Sequence, residues 1–404
     1  MNEEDARERL AHLRGGLQLL GAGIEVGVEI VEDMHRAIAA APLAVLAAVP
    51  GTRHLPRLHD GVRRGVYAWI RGASRLLFRG ADAVLAHAGP ALAPPAAIPG
   101  PLVGVLHGIL GDGMEHNPMR IAMHLRHAGR RVPMTASALA EALPTQCERV
   151  VVFVHGLACD ESSWEYASLR AWGRPGVSYA ALLRAQGLGT VHVRYNSGLR
   201  VDTNGRSLAA LLAELHALRP CGELILIGHS MGGLVVRSAC HHGQGQPWTR
   251  HVREVLCLGS PHGGAPLEKF GVVATAVLSA IPVTAAIGRA ADRRSAGIKD
   301  LRDGVVVADR ASDDPLPHDR YHFIAGSYGK TLRTRVIGWV LGDGLVRVAS
   351  ARHERGKHSR VHRVHLRGLH HMHLLNHPEV FAHIEAALLG RPILAITAGT
   401  ITPR

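Results

Sequence analysis

The segment Glu223–Gly233 reads ELILIGHSMGG. Its first part, Leu224–Ile227, is a short apolar run of the kind that forms a strand buried on both faces of a sheet. A G-x-S-x-G turn follows at once, and Leu234–Ala239 then resumes as a helix-compatible segment. A strand, a sharp turn and a helix in this order are typical of a nucleophile elbow, with Ser230 on the turn. A Gly-rich packing turn is the alternative interpretation.

The segments on either side alternate between strand and helix patterns. Alternation of this kind indicates an α/β fold whose largely parallel sheet is covered by helices on both faces. An apolar, proline-interrupted insertion at about 265–317 breaks the alternation and favours a lid beside a pocket, with a fixed cap helix as the alternative. The predicted strands are Val150–Val154, Thr190–Tyr195, Val252–Leu258, Tyr321–Ala325 and Val361–Leu366, and the predicted helices are Val177–Gln186, Ser207–Leu218 and Pro378–Leu389.

Backbone donors for a developing oxyanion are predicted at two strand ends. The first predicted strand runs into His155-Gly156-Leu157, which places the N–H of Leu157 beside the nucleophile. The N–H of Met231, directly after Ser230, would be the second donor. A plain strand-to-loop turn with a packed histidine is the alternative. The candidate substrate-binding residues beside these donors are His155, Gly156 and His229.

An acid and a base follow the nucleophile along the chain. Asp343 lies between two glycines after the Tyr321 strand, where a carboxylate can orient a histidine. Asp300 and Asp303, in a charged helical stretch, are weaker rivals. The base is His371 or His370, which both follow the last predicted strand. The order Ser, Asp, His along the chain is that of an α/β-hydrolase triad.

The N-terminal region, residues 1–145, has a different pattern from residues 146–404, the predicted hydrolase domain. Leu17–Ala40 and Val62–Leu85 carry apolar residues at helical spacing, so we expect a helical region. The second helix also carries a row of arginines, which favours contact with a membrane surface, and an ordinary solvated face is the alternative. These arginines are Arg64, Arg71, Arg75 and Arg79.

The composition limits the partners. A net charge of +13 over 404 residues suits anionic lipid headgroups or nucleic acid. Aromatic residues make up only 4% and no nucleic-acid motif is present, so no nucleic-acid partner is predicted. The remaining candidates are a small-molecule or lipid ester substrate and a peripheral contact with a membrane surface.

The cysteines and histidines bear on compartment and cofactors. The five cysteines form no C-x-x-C pattern, which predicts free thiols. The N-terminus lacks an apolar signal segment. Both features predict a cytoplasmic location, and a peripheral position on a membrane is compatible with it. Residues 353–377 hold eight histidines, but their spacing matches no zinc pattern. No metal and no cofactor are predicted.

Several motifs in a fixed order resemble those of bacterial esterase/lipase-family α/β-hydrolases, a group similar to triacylglycerol lipases and GPI-inositol-deacylase-like hydrolases. They lie within residues 149–390 and read FVHGLACDESSW, GHSMGGLVVRSA, LGSPHGG, GDGLVRVASA and HHMHLLNHPEVF. The resemblance implies the α/β-hydrolase fold with Ser230 as nucleophile and Asp343 as acid. It points to His371 as base, because His371 begins the H-x-x-L-L pattern.

The activity implied by this resemblance is hydrolysis of carboxylic esters, as in an esterase or lipase, through an acyl-enzyme. Two alternatives stay open. One is an acyltransferase or a thioesterase that uses the same triad. The other is a lipid-surface binding protein whose hydrolase domain is vestigial.

Overall fold

A computed structural model of the chain describes residues 3–48, 51–52, 54–94, 100–143, 148–265, 295–307, 320–328, 343–352 and 361–389. The predicted lid at 265–317 lies largely outside these residues. The chain divides into two compact units. The first comprises Met1–Pro99, Gly113–Arg120 and Thr275–Arg293, and the second Gly100–Asp112, Ile121–Ala274 and Arg294–Arg404. The predicted boundary at residue 145 stays a prediction.

Two long helices dominate the first unit. Helix α1 spans Glu3–Ala48 and helix α2 spans Leu55–Ala88, so both predicted helices are present and both are longer than predicted. Ion pairs join them, and two arginines of the predicted basic row take part rather than facing solvent freely. The pairs between the helices are Arg14–Asp82 at 2.6 Å, Arg71–Glu32 at 2.6 Å, Arg75–Glu25 at 2.8 Å and Arg63–Glu32.

The second unit contains a sheet that the described residues build from eight strands, in the order β2-β1-β4-β3-β5-β6-β7-β8. Strand β1 is antiparallel to both of its neighbours, and every other pairing is parallel. The mostly parallel sheet confirms the predicted fold class. The strands are β1 (His124–His127), β2 (Arg130–Val132), β3 (Arg149–Val154), β4 (Gly189–Arg194), β5 (Glu223–His229), β6 (Val252–Leu258), β7 (Arg320–Ser327) and β8 (Val361–Arg367).

Helices connect these strands in the described part of the second unit. No described helix in the chain is long and apolar enough to cross a membrane. The second unit also contains short 3-10 helices, among them Glu161–Glu165 and His371–Leu375. The helices are α3 (Gly100–Leu110), α4 (Ala136–Ala142), α5 (Ser168–Trp172), α6 (Tyr179–Ala185), α7 (Val201–Leu218), α8 (Met231–His242), α9 (Ala296–Asp303), α10 (Val348–Ala351) and α11 (Pro378–Leu389).

The alternation of side chains along β3 shows why the central strands are continuous apolar runs. Val150, Val152 and Val154 pack into a core cluster with α7 and α8. Val151 and Phe153 point to the other face and join a second cluster with α6 and α11. Because successive residues of a strand face opposite sides, a strand covered on both faces must be apolar throughout.

Four cysteines fall within the described residues, and all four are thiols that form no disulfide, as predicted. They are Cys159, Cys221, Cys240 and Cys257. Cys240 and Cys257 are buried in the core, where a cysteine thiol behaves as a small apolar residue. Cys147 lies outside the described part of the chain.

Candidate active site

Ser230 occupies the turn between β5 and α8. Its backbone has φ 54° and ψ −123°, a conformation that residues with a side chain rarely adopt. The turn is held by a hydrogen bond from the N–H of Ser230 to the carbonyl oxygen of Leu258, at 2.8 Å. Strain of this kind persists only where the surrounding structure enforces it, and it concentrates at functional sites. The sharp turn predicted from G-x-S-x-G is confirmed.

The two glycines of the motif are required by close packing. A Cβ at Gly228 would lie 2.4 Å from the backbone nitrogen of Gly233, at the start of α8. A Cβ at Gly232 would lie 2.2 Å from the carbonyl oxygen of Val154, at the end of β3. Any side chain at either position would push α8 away from the strands and reshape the turn that carries Ser230.

Asp343 and His371 form a buried hydrogen-bonded pair. Asp343 Oδ2 lies 2.8 Å from His371 Nδ1, and the two residues are 1% and 4% exposed. The other carboxylate oxygen accepts the N–H groups of Leu345 and Val346, and the carbonyl oxygen of Asp343 accepts the N–H of His371 at 2.9 Å. The carboxylate therefore holds the proton of the ring on Nδ1 and leaves Nε2 as an acceptor.

The rival residues have other partners. Asp300 accepts the N–H of Val201 at 2.9 Å and pairs with Arg200 at 3.2 Å, so it caps the beginning of α7. The ring of His370 stacks on that of His373, with centroids 3.4 Å apart. Burial and the neighbouring His371 lower the pKa of His370. Among the candidate bases, His371 is therefore the one paired with the buried carboxylate.

The turn after β6 brings the elbow and the acid–base pair together. Leu258 accepts the N–H of Ser230, and Gly259 follows it directly. Gly259 has φ 63°, and a Cβ there would lie 3.2 Å from both Asp343 Oδ2 and His371 Nδ1. The predicted nucleophile, acid and base thus follow the carboxyl ends of adjacent parallel strands, where open α/β sheets carry their ligand sites.

The loop that follows β3 runs beside the nucleophile. A Cβ at Gly156 would lie 3.1 Å from Ser230 Cβ, and Leu157 comes next along the loop. Met231 is the first residue of α8, so its N–H has no acceptor within the helix. Met231 therefore directly follows Ser230, and Leu157 directly follows a glycine that lies against Ser230.

Two side chains that the sequence analysis did not single out fix this loop. Tyr195 donates its hydroxyl to the carbonyl oxygen of His155 at 2.8 Å, and Ser197 Oγ accepts the N–H of Ala158 at 3.0 Å. Ala158 has φ 59°, a left-handed conformation that the serine hydrogen bond helps to hold. Nothing in the local sequence around Ser197 marks it, since its partner is 39 residues away.

Helix α3 packs its glycines directly against the same loop. A Cβ at Gly104 would lie 2.7 Å from the carbonyl oxygen of Cys159, and a Cβ at Gly108 would lie 2.8 Å from Ala158 Cα. The backbone of the helix therefore touches the backbone of the loop without intervening side chains. The sequence signal is the spacing of Gly100, Gly104 and Gly108 along one side of an apolar helix, with Gly111 directly after its end.

His155 and His229 are packed beneath the site, each about 1% exposed. The ring of His155 stacks on Tyr195, with centroids 4.4 Å apart, and burial lowers its pKa to about 4. His229 donates from Nε2 to the carbonyl oxygen of His371 at 3.1 Å, which leaves its Nδ1 without a hydrogen. Burial, and next the charge of His371, lower the pKa of His229. Both rings are therefore neutral at pH 7.

A buried neutral histidine makes stability depend on pH, and His155 provides the test. Below pH ~6.5 the unfolded chain binds a proton that folded His155 takes up only near pH 4, so the free energy of unfolding falls as the pH drops through this window. At ~1.4 kcal/mol per pH unit the loss reaches about 3 kcal/mol. We expect His155→Phe to flatten the dependence by that amount, measured by urea unfolding between pH 7 and pH 4. Parallel curves for the two proteins would contradict it.

A cavity of about 410 Å³ in the described structure lies away from these residues, at the amino ends of β3, β5, β6 and β7. Arg149 pairs there with Glu223 at 2.9 Å, and Glu254 pairs with His322 at 2.8 Å. This is the edge of the sheet opposite the elbow. Among the described residues, no group of three or more His, Cys, Asp or Glu side chains is placed to hold a metal ion.

The architecture and the elbow together define an α/β-hydrolase fold with a helical region at its N-terminus. Residues 211–311, which include the elbow, match the family described as the PGAP1-like alpha/beta domain. This match confirms the predicted resemblance to GPI-inositol-deacylase-like hydrolases for that part of the chain. A search of curated proteins gives no match.

Solved structures similar to this chain include lipases and esterases. A Bacillus licheniformis lipase in its mature form shares 21% identity over 61% of this chain and 93% of its own, with a TM-score of 0.43. Its propeptide form shares 19% over 69% of this chain and 56% of its own, with a TM-score of 0.45. A Pyrococcus furiosus esterase shares 16% over 61% and 83%, with a TM-score of 0.41.

Proposed function

We propose that the protein hydrolyses carboxylic esters through a covalent acyl-serine intermediate. The observations that carry the proposal are the buried Asp343–His371 pair, 2.8 Å apart, and a serine on a strained strand-to-helix turn at the same edge of the sheet. A serine hydroxyl is a weak nucleophile unless an adjacent base removes its proton. His371, oriented by Asp343 and left with a free Nε2, supplies that base.

The reaction takes two balanced steps. Nε2 of His371 takes the proton of Ser230 as Oγ attacks the ester carbonyl, and the resulting imidazolium gives that proton to the departing alkoxide, which leaves as the alcohol. Water then repeats the sequence on the acyl-serine and releases the carboxylic acid. Asp343 stays ionised and stabilises the imidazolium in both steps.

The N–H groups of Leu157 and Met231 are assigned to the oxyanion of each tetrahedral intermediate. The support is positional, since Gly156 lies against Ser230 and Met231 begins α8. Loss of one such donor typically lowers kcat about a hundred- to a thousandfold. Because these donors are backbone groups, their positions depend on whatever holds the loop after β3.

The residues predicted to bind substrate divide into two groups under this proposal. Gly156 lies against the nucleophile, where the absence of a side chain leaves room for the ester. His155 and His229 act through their neighbours, because both rings are buried and neutral. His229 is a positioning residue, since it donates to the backbone of His371.

The test is hydrolysis of p-nitrophenyl esters with acyl chains from short to long, comparing the wild type with Ser230→Ala. Turnover that requires Ser230 supports the proposal, and the chain length with the highest kcat/KM gives the size of the acyl pocket. In a second assay, an alcohol is added to the reaction. If p-nitrophenol is released and the only acyl product is an ester of that alcohol, the triad is assigned to acyl transfer instead. Absence of serine-dependent turnover on every chain length contradicts both.

The packing of α3 on the oxyanion loop gives a further prediction. Gly108→Ala places a methyl group 2.8 Å from Ala158 Cα, so the loop must shift and the Leu157 donor with it. We expect kcat to fall by about tenfold or more, since a misplacement of ~1 Å can lower rates a hundredfold. Gly65→Ala in α2, where nothing lies within 4 Å, is the matched control and should leave kcat unchanged. Equal kcat in both variants would show that α3 does not position the loop.

A further inference from the structure

Helix α2 presents an apolar face to solvent along most of its length. Its members are between 49% and 77% exposed, and the most exposed are Trp69 at 73% and Leu76 at 77%. Contiguous exposed apolar patches are rare on soluble proteins, and they mark sites of association. The apolar face of α2 consists of Leu58, Val62, Val66, Trp69, Leu76, Leu77 and Val84.

In an ordinary helical hairpin the apolar face of each helix packs on the other helix, whereas the apolar face of α2 is exposed to solvent. At 100° per residue its members fall within a sector of about 100° on the helix surface. The sector that packs on α1 is a different one and holds buried ion pairs, among them Arg63–Glu32 and Arg71–Glu32. Charged groups therefore join the two helices beside an apolar contact of Phe78 with Gly21, and the apolar face of α2 lies outside this contact.

Arginines lie on one flank of the apolar face. Arg71 and Arg75 are neutralised by Glu32 and Glu25 of α1. Three others have no carboxylate within hydrogen-bond distance among the described residues, and they repeat at intervals of about two or four turns. They are Arg57, Arg64 and Arg79. Their positive charge lies along the length of the apolar face, so an anionic partner is favoured.

The size of the face decides between a second copy of the chain and a lipid surface. From Leu58 to Val84 the helix runs about 40 Å, and one helix face about 10 Å wide covers about 400 Å². A stable protein interface needs about 800 Å² on each partner, so the face is too small for a dimer by itself. An amphipathic helix on a bilayer needs no such area, because apolar burial and attraction to anionic headgroups add along its length.

We propose that α2 binds an anionic lipid surface, with its apolar face among the outer acyl segments and its free arginines against lipid phosphates. Trp69 is the central anchor, since an indole combines a large apolar ring with an N–H that suits the headgroup boundary. The binding requires no catalytic activity and holds whether or not the chain hydrolyses esters.

The experiment is cosedimentation of the full chain with phosphatidylcholine vesicles that contain or lack phosphatidylglycerol. We expect binding to the anionic vesicles at about 0.05 M salt and a marked loss at about 0.5 M, because salt screens the arginines. The double variant Trp69→Glu, Leu77→Glu should bind at least about tenfold more weakly. Both side chains are exposed and stay clear of α1, so the fold is retained, as thermal unfolding will verify.

The matched control is Leu389→Glu, which changes an exposed leucine at the end of α11 and should bind as the wild type does. Wild-type cosedimentation that the double variant loses supports the proposal. Failure of the wild type to bind anionic vesicles at low salt overturns it, as does equal binding by the double variant. If the wild type is a dimer that the double variant converts to monomer, and neither binds vesicles, the occupant of the face is a second copy.

Discussion

Replacing Ser230 by alanine is expected to lower kcat for ester hydrolysis by about a millionfold, to the level that oxyanion donors and binding supply alone. The substitution removes the only atom that can form the acyl-enzyme under the proposed mechanism. It also places alanine at φ 54°, a conformation that alanine tolerates no better than serine. We therefore expect the fold to be retained, with a change in unfolding free energy of about 1 kcal/mol or less.

The control is Ser238→Ala, on helix α8 directly after the turn. Ser238 is fully buried in α8, and its hydroxyl has no hydrogen-bond partner among the described residues, so its removal breaks no hydrogen bond. Steady-state kinetics on one p-nitrophenyl ester, together with labelling by a fluorophosphonate probe, compares the two variants. Labelling and turnover should vanish in Ser230→Ala and persist in Ser238→Ala. Retained turnover in Ser230→Ala would remove Ser230 as the nucleophile.

The central parallel strands were predictable because they are buried on both faces. Val150–Val154 was predicted nearly to the residue, since a strand covered by helices on both sides must be apolar without interruption. Val252–Leu258 was also predicted to the residue, although Arg253 and Glu254 interrupt its apolar pattern. The elbow was predictable for a related reason. Gly228 and Gly232 leave no room for a side chain, so these two glycines in the sequence indicate the close backbone packing that shapes the turn.

The antiparallel strands β1 and β2 were not predicted. Strand β1 reads His124-Leu125-Arg126-His127, and only Leu125 is fully buried. A short strand at the edge of a sheet needs only one or two apolar residues, so its pattern is too brief to separate from a loop. Its pairing with β4 depends on residues almost 70 positions away.

The apolar face of α2 is the second point at which pattern and structure diverge. Val62, Val66 and Trp69 recur at helical spacing, which normally indicates the side of a helix that packs inward. In the structure these side chains are exposed, and α1 instead packs on a side that carries Arg63. Periodicity locates an apolar face but says nothing about what covers it, because a partner helix and a membrane favour the same spacing.

The choice of base likewise depends on contacts that no local pattern contains. His370 and His371 are adjacent, and both precede the same helix. Only the fold places Asp343 at 2.8 Å from Nδ1 of His371 and stacks His370 on His373. We therefore expect His371→Ala to abolish turnover and His370→Ala to retain it, and the reverse result would exchange their roles.

Asp343→Asn is expected to lower kcat by about ten thousandfold while leaving the fold intact. Asparagine keeps an oxygen that can accept the N–H groups of Leu345 and Val346, so the turn is preserved. Its amide nitrogen then faces Nδ1 of His371 and donates to it, which forces the ring proton onto Nε2. A ring protonated on Nε2 cannot accept the proton of Ser230, and turnover stops at the first step.

Asp300→Asn is the matched control for this substitution, because Asp300 is also buried but caps α7 rather than orienting a histidine. Loss of the charge at Asp300 should lower the free energy of unfolding by about 1 kcal/mol and leave kcat within a few fold of the wild type. Kinetics and thermal unfolding on the two variants separate the roles. If Asp300→Asn loses turnover while Asp343→Asn retains it, the acid of the triad is Asp300, and the 2.8 Å contact between Asp343 and His371 is structural.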